Sequence, residues 1–376
     1  MRRFVLLLIA SVLLSSCSQT PQDVKLHAAD AVPQQLSAWQ LLSVNNQRLS
    51  LNKHAVPYDL NSSLFTDYAH KLRTVWIPRD EEIGYSAEET FDFPVGTVIS
   101  KTFFYPRAGG ADAEFNLVLK QADQAQYFEN GELDLSKVRL IETRLLVRQS
   151  DHWQALPYVW NDQQTDASLE ITGDIKSLSL LESGSDVAQS FAYVVPDKNQ
   201  CAGCHETNHG SKQLLPIGPK ARHLHKASVY HAGTAQLTAW REKLSLTGMP
   251  ETIVANADWQ SSAEHSLDER ARSYLDINCS HCHNPNGAAD TSALLLNIQN
   301  ENVLSMGVCK PPVAAGRGTG NRQYSIVPGN AEQSIMTFRM RSTKPGDMMP
   351  ELGRSLAHTE GIALLSEWIN ALDGGC

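Results

Sequence analysis

The chain has 376 residues, enough for two or three domains, and an ordinary 42% of hydrophobic residues for a globular protein. Its formal net charge of −9 argues against non-specific binding to nucleic acid.

The N-terminus opens on a short basic stretch, Met1-Arg2-Arg3, and an apolar run from Phe4 to Leu14. That run has signal-peptide length and is too short to span a bilayer. It ends in Leu14-Ser15-Ser16-Cys17, which resembles the lipobox of bacterial lipoproteins. The resemblance implies a signal peptide over residues 1–16 and lipid attachment at Cys17. Ser18 follows where aspartate would mark inner-membrane retention, so the expected location is the outer membrane, facing the periplasm or the cell surface. The alternative is an ordinary signal peptide with an incidental cysteine. Residues 17–40 are expected to form a lipidated tether, because 18–38 are polar, contain Pro21 and Pro33, and lack an apolar period. The other reading is a tail packed on the body.

Residues 41–195 turn to strand patterns. Lys71–Ile77 and Thr97–Phe104 alternate, and further β-rich runs cover 115–119, 138–147, 153–160 and 190–195. Turn signals such as Pro94-Val95-Gly96 separate them, so an antiparallel sandwich or barrel is expected. Stretches 80–89 and 123–134 read as acidic loops or short helices. Asp67, His70, Lys71 and Arg73 form a dense polar group, read as a solvated strand end. Trp153, Tyr158 and Trp160 read as core.

The next region, 196–260, contains Cys201-Ala202-Gly203-Cys204-His205. The pattern C-x-x-C-H serves covalent haem attachment. Two thiols form thioethers with the two vinyl groups of one porphyrin, and the adjacent histidine presents a ring nitrogen to the iron. A helix is expected over 235–244. No sixth ligand stands out among His223, His225, His231 and Met249, and an open iron position is a second option.

Residues 261–376 carry the same pattern again, Cys279-Ser280-His281-Cys282-His283. Ser266-Leu267-Asp268-Glu269 forms a capping box, and Leu267, Ala271, Tyr274 and Leu275 recur at helical spacing up to Cys279. Further helices are expected over 331–341 and from Thr359 through Leu372. Between them, Met349 stands before Pro350 and is the preferred distal ligand, ahead of Met348, because a thioether favours electron transfer when paired with histidine. Residues 310–354 hold seven basic and three acidic residues, which serve either haem propionates, a docking face or plain solvation. Two C-x-x-C-H copies imply two covalently bound haem c groups, with iron bound by His205, His283 and Met349. The competing readings are half of a zinc site or a redox C-x-x-C pair. Of seven cysteines, Cys309 and Cys376 remain, as a disulfide or as two free thiols.

Segments 64–69, 93–97, 141–145, 199–205, 216–222 and 328–372 together resemble a family of bacterial dihaem c-type cytochromes, many of them lipoproteins. The last segment also resembles cytochrome domains fused to some bacterial sugar dehydrogenases. The resemblance implies a multidomain α+β chain, with an N-terminal β-rich, sandwich-like domain followed by mainly α-helical cytochrome c-type haem domains. It implies electron transfer with redox partner proteins outside the cytoplasm, held to the membrane by the lipid anchor, rather than catalysis. The alternative function is a dihaem, peroxidase-like oxidoreductase using a five-coordinate first haem. The β-rich domain, which has no catalytic motif, is also readable as a partner-docking module.

Overall fold

A computed structural model describes residues 23–109, 114–206, 208, 210–230, 234–313 and 316–376. The strands are β1 (Leu42–Asn45), β2 (Arg48–Leu51), β3 (Val56–Tyr58), β4 (His70–Trp76), β5 (Ile83–Gly84), β6 (Val98–Pro106), β7 (Leu117–Lys120) and β8 (Phe128–Glu129). They continue as β9 (Glu132–Asp134), β10 (Val138–Arg148), β11 (Trp153–Trp160), β12 (Ala167–Leu169), β13 (Asp174–Glu182), β14 (Ala188–Val195) and β15 (Leu246–Thr247). The helices are α1 (Lys198–His205), α2 (Ala221–Leu224), α3 (Gln236–Lys243), α4 (Leu267–Cys279), α5 (Ile335–Arg341) and α6 (Thr359–Asn370).

The centre is a six-stranded antiparallel sheet in the order β12-β11-β10-β6-β4-β3. Alternation sends Leu72, Trp76, Phe104, Leu145, Tyr158 and Trp160 to one face. There they pack under the small sheet β1-β2-β9-β8 and the buried anchors Leu36 and Trp39. The opposite face is apolar at both ends. At one end Phe103, Ile141 and Val159 lie under the sheet β14-β13-β7. At the other, Val75, Ile99 and Trp153 share a core with Leu224, Leu237 and Trp240 from α2 and α3.

A separate core joins α4, α6 and the loops between them, through Tyr274, Leu275, Ile326, Leu365 and Trp368. The two helices cross where Gly361 faces Tyr274. A methyl group on Gly361 would stand 2.2 Å from the Tyr274 hydroxyl oxygen. This module is tied to the β-rich body by Asp67, whose carboxylate accepts the N–H groups of Ser355 (2.8 and 2.9 Å) and Leu356 (2.7 Å).

Several expectations are corrected. The C-terminal half is not made of mainly α-helical haem domains. The fold is β-rich, with fifteen strands in four sheets, six α-helices and about 20% of residues helical, among the described residues. Among the described residues, 280–334 hold no α-helix. Their Asn, Asp and Ser side chains bond instead to nearby backbone, as Asn284 does to the carbonyls of Ser280 (2.9 Å) and His281 (3.1 Å). The 196–260 region does not stand alone, because α2 and α3 complete a core begun by the sheet. The described part of the expected tether, 23–40, is packed rather than free. Leu36 and Trp39 are fully buried, and Gln35 bridges to Ser168. The stretch 123–134 contributes β8 and β9 rather than only loops or helices. The polar group Asp67, His70, Lys71 and Arg73 is not a solvated strand end, because all four are at least nine-tenths buried. Residues 1–16 and Cys17 lie outside the described residues.

Candidate haem-attachment site

Strand β14 feeds directly into the first C-x-x-C-H segment. Asp197 caps α1, accepting the Gln200 N–H at 2.7 Å, while the Gln200 side chain accepts the Asp197 N–H at 3.1 Å. One short helix therefore fixes Cys201, Cys204 and His205. The ring of His205 is held from the loop that follows. Its Nδ1 stands 2.8 Å from the Leu215 carbonyl, and the Leu215 N–H returns a bond of 2.8 Å to the His205 carbonyl. A proton on Nδ1 donated to a carbonyl leaves Nε2 as the free lone pair, the state a metal needs.

The second segment is delivered by α4, whose capping box of Ser266 and Glu269 is formed. After Cys279 the chain tightens into a turn, with the His283 N–H bonded to the Cys279 carbonyl at 2.9 Å. Here too Nδ1 is engaged, 3.2 Å from the Ser292 hydroxyl. Gly287 lets the chain fold back, since a Cβ there would overlap the Cys282 carbonyl.

The two segments, far apart in sequence, meet in space. The Cys282 thiol lies 3.6 Å from the Gly203 carbonyl. The loop bearing Met349 closes on the same point, for Leu352 stands against Gly203. That loop is strapped to α5. Met349 N–H donates to the Arg339 carbonyl at 2.9 Å, and Arg354 donates to the Met349 carbonyl at 2.8 Å. Arg339 lies close enough to His283 to help depress its basicity. Met348 is buried and Met349 half-buried.

Burial dominates the electrostatics. It pushes the thiols of Cys279 and Cys282 up to about 12 and raises those of Cys201 and Cys204. It lowers His205 to about 3 and His283 to about 4, helped by nearby cations. Neutral imidazoles are competent iron ligands. Zinc binding and thiol redox chemistry act through thiolates, whereas a thioether carries no charge. Among the described residues no group of three or more His, Cys, Asp or Glu side chains converges in metal-binding geometry.

The residues expected as candidate sixth ligands of a first haem are scattered. His223 is buried with Nε2 held 2.7 Å from Asp276 Oδ2 on α4. His225 is exposed, Met249 packs against the core shared by α2 and α3, and His231 lies outside the described residues. The basic stretch 310–354 is largely spent internally. Arg354 donates to four backbone carbonyls, Arg339 is bound to Asp347 and Glu351, and Arg341 pairs with Glu332. Cys309 and Cys376 are joined by a disulfide of 2.12 Å.

Two groups beside the site escaped the sequence reading. His281, inside the second motif, has a buried Nδ1 with no partner among the described residues, and it is near enough to bear on His205. Lys101 and Arg144 lie near the first segment. Their signal was a charged residue on an otherwise apolar, alternating strand. A cleft of about 660 Å³ lies between His70, Lys120, Tyr230 and Trp259 and is also lined by Lys71 and Arg73, and none of the four free cysteines lines it. The chain matches no protein-family model, no curated protein and no solved structure.

Proposed function

We propose that this chain is a dihaem c-type cytochrome that carries electrons between redox partner proteins outside the cytoplasm, anchored to the outer membrane through Cys17. The observation that carries the reading is the matched state of the two motif histidines. Each has Nδ1 tied to a protein oxygen and Nε2 left available, beside two cysteines whose thiols are held in the neutral form.

Bound haem supplies a one-electron iron couple. The protein's part is attachment, orientation and exclusion of water. Cys201 and Cys204 would hold the first group and Cys279 and Cys282 the second, with His205 and His283 as proximal ligands. Met349 is the proposed distal ligand of the second iron, on a loop that Arg339 and Arg354 fix by backbone bonds. The contact between Cys282 and Gly203 keeps both attachment segments in one wall, the arrangement an internal relay needs.

Reduced optical spectra of the matured protein, with and without carbon monoxide, test the carrier role. A c-type spectrum indifferent to carbon monoxide is expected. A response from about half of the haem would instead make the first haem a ligand-binding centre and turn the reading toward a peroxidase-like enzyme.

A further inference from the structure

The face of the central sheet that receives α1 holds a row of cations. Register places Arg73 on β4 opposite Lys101 on β6, and Lys101 opposite Arg144 on β10. Directly opposed side chains share one face, so three like charges stand side by side across three strands. Such juxtaposition is destabilising on its own. Lys71 adds a fourth cation at the next position on that face, where its register partner is Phe103. Lys71, Lys101 and Arg144 all gather around the Phe103 ring, 5.5, 5.9 and 4.5 Å from its centroid.

The carboxylates nearby are already taken. Glu142 is fully buried and grips Arg144 with two bonds of 2.7 and 2.6 Å, and also accepts from the Tyr193 hydroxyl at 2.7 Å. Asp59 serves Arg73 at 3.5 Å and Lys226 at 3.4 Å. Lys71 donates to the Ala69 carbonyl at 3.1 Å. Lys101, in the middle of the row, has no hydrogen-bond or ion-pair partner among the described residues. Burial and its two arginine neighbours bring it down to about 7. Lys101 is half-buried, and a like-charged row flanked by carboxylates that are already engaged favours an anion from outside the chain.

The path of the chain says which one. One end of this face is covered by β14 and its neighbours and the other by α2 and α3. The first haem segment, α1, lies between them in sequence, is separated from the end of β14 by two residues, and packs on β11. Arg144 bears on both Cys201 and Cys204, and Lys101 on Cys204 and His205. Two strand spacings, about 10 Å, separate the ends of the row. It therefore leads away from the thiols, the direction in which a porphyrin's carboxylate edge lies from its vinyl edge.

We infer that Lys101, supported by Lys71, binds the propionate carboxylates of the haem tethered through Cys201 and Cys204, so that the β-rich half of the chain is part of that haem's pocket. The inference rests on the dihaem reading above. It also assigns this role away from the basic stretch 310–354, whose arginines are bound to the protein itself.

The test is spectroelectrochemical titration of the full-length, matured protein alongside Lys101→Met, Lys71→Met and Lys101→Arg. Haem content by mass is checked first, since absence of covalent haem in the unaltered chain refutes the dihaem reading itself. With two haems bound, removing a cation beside the propionates favours the ferric state. One of the two midpoints is expected to fall by about tenfold in the reduction equilibrium, ~59 mV for one electron, in each methionine variant. Lys101→Arg should keep the original midpoint. Unchanged midpoints in whichever methionine variant retains both haems would overturn the assignment while leaving the dihaem reading intact.

Discussion

Asp276 shows how much one side chain organises around the motifs. Burial pushes its carboxyl up, yet the His223 ring, the Ile298 N–H at 3.0 Å and the Asn256 amide at 2.8 Å together bring it down to about 2. A carboxylate depressed on folding contributes stability that is present above its unfolded value near 3.8 and is lost as pH falls toward 2. The contribution is ~2 kcal/mol. Asp276→Ala should cost about 3 kcal/mol at neutral pH, because it strips a buried partner from His223. Chemical denaturation between pH 5 and pH 2, a window set by that linkage, should show a shallower acid loss for the variant than for the parent chain. At the second haem, Met349→Ala removes the proposed thioether. Its midpoint potential should fall and its ligation change in the optical spectrum, with the other haem unaffected. An unaltered second midpoint would remove Met349 from the ligand set.

Among the elements, the crossing of α4 and α6 is the most demanding contact. Gly361 admits no side chain against Tyr274, whose hydroxyl is 2.8 Å from His358 Nδ1. Gly361→Ala should destabilise the chain by ~1–3 kcal/mol through overpacking, read as a lowered thermal midpoint with the haem count unchanged. This helix pair was legible in the sequence, because capping and apolar spacing are local signals and both lie within α4. The central strands β4, β6, β10 and β11 were legible for the same reason. The rest depended on distant partners. β13 was missed because only Leu178 and Leu180 of its nine residues are buried, too short an apolar alternation to stand out. The buried Lys71 and Arg73 were misread because charge normally marks solvent, and only the register with Lys101 and Arg144 shows otherwise. The docking-module reading of the β-rich domain also changes. Its sheet completes the core around α2 and α3, so deleting it would disrupt the first C-x-x-C-H region as well as any partner surface.

Across the whole molecule, the two attachment motifs were plain in the sequence, but their contact was not. It arises because β14, α1, α4 and the Met349 loop converge at Gly203. The chain end is fastened as well. The Cys309–Cys376 bridge closes a span of 67 residues around α5, α6 and the Met349 loop. In the chain-entropy account such a closure is worth about 4 kcal/mol. Replacing both cysteines with serine should lower the denaturation midpoint accordingly, and the loss should match that produced by reducing the parent protein. The proposed function requires two covalently held haems. The most direct measurement is the intact mass of the full-length protein after cytochrome c maturation, beside the paired variants Cys201→Ala/Cys204→Ala and Cys279→Ala/Cys282→Ala. Two haems are expected on the parent chain and one on each variant, whereas a parent chain carrying no covalent haem would contradict the proposed function.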